Sequence, residues 1–153
     1  DLPIQTAHSL LETQSVAFDA NLPCHIHFDI GCALIEVARD ACVHNFLKTD
    51  HTKLFWIDSD MQWSTDAFLR MVALSTKMNA LCGAYPARIE PLMFQLNVSG
   101  SVEMNEHGCI PCHSGGLGFS IIDREIVERL KNERREYMKK WEGLNPEIAQ
   151  AVG

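Results

Sequence analysis

Two carboxylates stand two residues apart where an apolar run ends, in Lys53-Leu54-Phe55-Trp56-Ile57-Asp58-Ser59-Asp60. Like charges this close repel unless a cation or several hydrogen-bond donors offset them. Ligands of open α/β sheets collect at the carboxyl ends of strands, so the expected partner is a hard divalent ion. Mg2+ or Mn2+ takes oxygen ligands and bridges one or two carboxylates to the oxygens of a diphosphate. The chemistry this allows is the departure of a diphosphate leaving group.

Three further groupings have the right residue types for chemistry. Cys109-Ile110-Pro111-Cys112-His113 has the C-x-x-C-H form of c-type haem attachment. That reading is set aside because the pentapeptide lies among expected strands and no signal sequence is visible. A zinc site from His107, Cys109, Cys112 and His113 is disfavoured too, because four ligands within seven residues cannot readily surround one tetrahedral ion. A single knuckle with a remote partner stays open. His25, His27 and Asp29 alternate along a strand-like run, so their side chains would share one face. An exposed polar face accounts for them without a metal.

These groups need elements to position them. The spacing of Leu10, Leu11, Ala17 and Phe18 predicts a helix over Ser9 to Phe18, stopped by Asn21-Leu22-Pro23. Strict alternation predicts a strand over Cys24 to Ile30. From Leu34 to Lys48 a helix is expected, with Ile35, Ala38, Cys42 and Phe46 inward and Glu36, Asp40, His44 and Lys48 on the wet face. Lys53 to Ile57 reads as a strand buried on both faces. Ser64 then caps a helix with Asp66 in its first turn and Phe68, Met71, Val72 and Ser75 along one face.

Ala80 to Tyr85 is the next expected strand, and Leu92 to Ile110 a hairpin or meander turning at Gly100 and at Asn105-Glu106-His107-Gly108. Gly115-Gly116-Leu117-Gly118 feeds a strand over Phe119 to Ile122. The last helix begins at Asp123 and runs inward through Ile126, Leu130, Tyr137 and Trp141, while the charged run Lys131 to Glu136 is a solvated face. No repeat or linker divides the 153 residues, so one α/β domain is expected: an α/β/α sandwich with a mixed, mostly parallel sheet.

Composition narrows the function. With 13 basic and 20 acidic residues the net charge is -7, which argues against a nucleic-acid partner. No apolar run reaches the roughly 20 residues of a membrane span, and no leader of basic and apolar blocks opens the chain. A cytoplasmic location is expected. The six cysteines are sparse for this length and read as reduced thiols, not a disulfide framework.

At this point Phe55-Trp56-Ile57-Asp58-Ser59-Asp60-Met61, followed by a capped helix, resembles the DXD segment of GT-A glycosyltransferases. Ala38-Arg39-Asp40, Gly83-Ala84-Tyr85-Pro86-Ala87-Arg88 and Gly115-Gly116-Leu117-Gly118-Phe119 are similar, in the same order, to segments of bacterial and viral family-2-like members. The resemblance covers Leu34 to Leu130. It implies a transferase moving a sugar from a UDP-, GDP- or TDP-sugar donor to a glycan, lipid or protein acceptor. It implies that Asp58 and Asp60 hold Mn2+ or Mg2+ with the donor diphosphate, that His113 completes the metal site, and that Arg39 or Arg88 meets phosphate through its planar fork.

Two departures accompany it. The opening residues lack the long apolar strand that cradles the nucleotide base in such folds, so a core or fragment of the domain is expected. The acidic pair that supplies the base in inverting relatives is also missing, Glu133 and Glu136 being poor substitutes, and no catalytic base is identified. A non-catalytic nucleotide-sugar-binding module is therefore one alternative. The other is a haloacid-dehalogenase-type phosphohydrolase with Asp58 as nucleophile. In that family the motif opens the fold and a threonine or valine follows, whereas here Gln62 stands at that place after a full helix-strand-helix.

Overall fold

In the computed structural model the described residues are 2–29, 34–86, 90–91, 93–94, 96–98, 100 and 102–144, with the backbone alone from 135 onward. Their elements are α1 (Ile4–Asp19), α2 (Ile35–Leu47), β1 (Lys53–Ile57), α3 (Thr65–Leu74), β2 (Ala80–Cys82), β3 (Leu96–Val98), β4 (Cys112–Gly115), β5 (Phe119–Asp123) and α4 (Arg124–Leu144). The architecture is mixed α/β, with one sheet of three strands in the order β1-β5-β2 and a two-stranded ribbon, β3-β4.

Among the described residues every strand pair is antiparallel, which corrects the expected mostly parallel sheet. The reason is topological. β1 and β2, joined through α3, run the same way but do not touch, because β5 enters between them and pairs with both. Ile121 faces Phe55 on one side and Leu81 on the other. The strand that runs against the other two is thus the central one. Its residues suit that place, since Phe119, Ser120 and Ile121 are all buried.

The core forms on one face of this sheet. Ala17, Trp63, Phe68, Met71, Phe119 and Ile121 make up its buried cluster. Phe55 stacks on Phe68 with centroids 5.4 Å apart and meets Phe119 edge-on at 5.0 Å; ring pairs at such offsets add to the burial of their area. α3 follows the expected pattern: the Ser64 hydroxyl accepts from the Ala67 N–H at 3.2 Å, and Phe68, Met71 and Ser75 are buried.

α1 follows its pattern only in part. The helix is present, Ala17 is buried and Leu10 packs against the core, but Leu11 and Phe18 are 67% and 84% exposed, and the other buried positions are Thr6, Ser9 and Thr13. What turns the polar face inward is Trp63. Its indole N–H donates to the Thr13 hydroxyl at 2.7 Å, and its carbonyl accepts from the Ser9 hydroxyl at 2.8 Å. A buried indole and peptide need such partners.

Four other expectations change. Residues 24–29 form no strand, having no ladder partner among the described residues. The strand expected to Tyr85 ends at Cys82. β3 pairs with β4 and not within its own segment, although the turn at Asn105 is present, with the Asn105 carboxamide oxygen accepting from the N–H groups of His107 and Cys109 at 3.0 and 2.9 Å and Gly108 at φ 71°. α4 starts one residue late and buries Val127, leaving Leu130 half exposed.

Candidate functional site

β1 is half-buried along its whole length, and its ladder continues one residue further, where the Asp58 N–H donates to the Gly118 carbonyl at 2.9 Å. There the chain turns. The Met61 N–H donates back to the Asp58 carbonyl at 3.1 Å, so Asp60 sits in an exposed turn and not on a continuing strand.

The Asp58 side chain is held by two donors. Its Oδ1 accepts from the Trp56 indole at 2.9 Å and from Arg39 Nη2 at 3.4 Å. Arg39 reaches over from α2, and its guanidinium carbon stands 5.4 Å from the centre of the Trp56 ring, in cation–π range. The resemblance assigns this arginine to phosphate; here it pairs with Asp58 through a single long contact. Its Nε is buried without a hydrogen-bond partner.

The other oxygen of Asp58 faces Gly118. A Cβ built on Gly118 would lie 2.9 Å from Asp58 Oδ2 and 2.8 Å from the Tyr85 hydroxyl. Only glycine lets these groups approach so closely. The Gly118 N–H donates to the Tyr85 oxygen at 3.0 Å, which ties the segment after β2 to the turn before β5. Because β5 lies between β1 and β2, the segments that follow those two strands converge on this turn.

The remaining expected residues are scattered or outside the description. His113 is exposed on β4. Arg88 lies outside the described residues. Among the described residues no group of three or more His, Cys, Asp or Glu side chains is gathered as a metal site, so Asp58, Asp60 and His113 are not assembled into a ligand triad. The same holds for the cysteine-histidine knuckle and for His25, His27 and Asp29. Instead His25 stacks on His51 with centroids 6.1 Å apart, and Asp29 accepts from the Cys42 thiol at 3.7 Å. Burial first, then the nearby Asp29, pushes the Cys42 thiol pKa up. Glu133 is exposed and pairs with Arg129 at 3.6 Å.

Two carboxylates follow β1 within three residues, and carboxylate oxygens are the ligand type a hard ion takes. Beside the same glycine turn an open groove of about 300 Å3 runs along the ribbon, lined by Phe94, Leu96, Asn97, Ser114, Gly115 and Gly116.

Trp56 and Tyr85 were missed in the sequence. Trp56 left a signal, because residues two apart on a strand share a face. Tyr85 left none, since only the non-local pairing of β2 with β5 brings it to Gly118.

Compared with known proteins, the chain matches no protein-family model, no curated protein and no solved structure.

Proposed function

We propose that the chain is a metal-dependent glycosyltransferase domain of the GT-A type that takes a nucleotide-sugar donor and acts in the cytoplasm. The observation that carries this reading is the convergence of Asp58, Gly118 and Tyr85 just past the carboxyl end of β1. The architecture that belongs with it is a three-layer α/β/α sandwich, in which β1 and β2 supply the parallel direction and β5 the strand between them.

In this reading Asp58 and Asp60 hold Mn2+ or Mg2+. Bound there, the ion would offset the charge that builds on the diphosphate as it leaves. The chain's own residues do the positioning. Trp56 fixes Asp58 through Oδ1, leaving Oδ2 for other partners. Arg39 has only one long contact with Asp58, and a diphosphate offers its fork a bidentate partner instead. Gly118 keeps the turn close enough for its backbone to border the donor, and the Tyr85 hydroxyl, which accepts from Gly118, has its own proton to donate. The groove along the ribbon gives the sugar or the acceptor a place beside that turn.

Thermal melting with UDP-, GDP- and TDP-sugars, with and without Mn2+, tests the reading. One donor class is expected to raise the melting midpoint only when the metal is present. A phosphorylated Asp58 trapped from a phosphate-ester substrate would instead support the phosphohydrolase. Donor binding without transfer to any acceptor would support the non-catalytic module.

A further inference from the structure

Two arginines of α4 hold α2 to the rest of the molecule. At the C-terminal end of α2, Arg124 donates to the carbonyls of Phe46, Thr49 and His51 at 3.1, 2.6 and 2.8 Å, and its guanidinium carbon lies 4.7 Å from the centre of the Phe46 ring. A cation there satisfies carbonyls that have no partner within the helix and offsets the negative end of its dipole. Phe46 is also the buried residue of α2. This end is firmly seated.

Towards its N-terminus the hold is lighter. Both oxygens of Asp40 accept from Nη1 of Arg134, at 2.8 Å each, but the two side chains are 59% and 66% exposed. Leu34, Ile35 and Val37 are more than half exposed as well, so little apolar burial secures the start of the helix. Arg39 rides on this lightly held half. Its guanidinium stands over the Trp56 ring and touches Asp58 once, at 3.4 Å. In that position its Nε is buried without a partner, a cost that the docked helix must carry.

We infer that α2 is an arm hinged at its C-terminal end, and that the pair of Arg134 with Asp40 is the latch that keeps Arg39 on Trp56 and Asp58. Successive residues of a helix point about 100° apart, so Asp40 reaches α4 while Arg39 reaches the end of β1, and one movement of the helix displaces both. When the latch parts, the arm swings about Phe46, Arg39 leaves the Trp56 ring and its Nε gains water. Asp58 then keeps the indole but loses its cation, which bares the carboxylate to an incoming ion. Because the latch is exposed, salt weakens it. The hinge rests on a buried ring and on carbonyl acceptors, which salt screens little. The arm controls access to the candidate site, but its motion does not depend on the proposed transferase activity.

The test is amide hydrogen exchange of the full chain, read residue by residue by NMR, with the Trp56 indole resonance followed in the same samples. Arg134→Ala is expected to speed exchange over residues 38–43 by about two- to fivefold, the range open to one exposed ion pair, and to leave residues 46–49 unchanged. The Trp56 indole signal should move towards its position in Arg39→Gln. Raising the salt from about 0.01 M to about 1 M, which shortens the screening length from roughly 30 to 3 Å, should produce the same two changes in the unmutated chain and little further change in Arg134→Ala. An indole signal and exchange pattern untouched by Arg134→Ala would overturn the inference. Equal acceleration over 38–43 and 46–49 would also overturn it, since the helix would then loosen as a unit with no hinge.

Discussion

At Asp58 one carboxylate oxygen receives the Trp56 indole and Arg39, while the other faces the bare Cα of Gly118. That division of labour makes Gly118 a sensitive position beside the site. Gly118→Ala would set a methyl group 2.8 Å from the Tyr85 oxygen and 2.9 Å from Asp58 Oδ2, so either the turn or both side chains must move. The expected cost is about 1–3 kcal/mol of stability, read from urea unfolding. Tyr85→Phe removes one of the two clashes but also the acceptor of the Gly118 N–H. The double variant should therefore lose less than the sum of the two single losses. Additive losses, or a neutral Gly118→Ala, would show that the turn is looser than its distances imply.

The elements differ in how much of them could be read in advance. α3 was legible because its signals are local: a capping serine, an acidic first turn and an apolar face at helical spacing. β1 and β5 were legible as short apolar runs. Their pairing was not, because registers between residues as distant as Phe55 and Ile121 leave no mark in either segment. α1 was legible as a helix, but its inward face only in part, for a different reason. Its inward face answers to the hydrogen-bonding needs of Trp63, and those outweigh the burial of Leu11 and Phe18. This has a measurable consequence. Thr13→Val keeps the shape but strands a buried indole N–H, and should cost about 1–3 kcal/mol. Leu11→Gln, at a site 67% exposed, should change stability by no more than about 0.5 kcal/mol. The reverse ranking in urea unfolding would refute this packing of α1. In the site itself, Asp58 and Gly118 could be named from their setting in the sequence, whereas the place of Tyr85 beside Gly118 depends on which strands become neighbours.

For the molecule as a whole, the net charge of -7 makes a polyanion an unfavourable partner unless a cation comes with it. No described helix is long and apolar enough to cross a membrane. In the proposed reading a diphosphate comes accompanied by Mn2+, held by the two carboxylates after β1. The direct measurement is calorimetry of a nucleoside diphosphate binding to the unmutated chain and to the Asp58→Ala/Asp60→Ala variant, each with and without Mn2+. The predicted result is at least a tenfold gain in affinity from the metal in the unmutated chain, a difference of about 1.4 kcal/mol, and no gain in the folded double variant. An equal gain in both proteins would contradict the assignment of the ion to these aspartates.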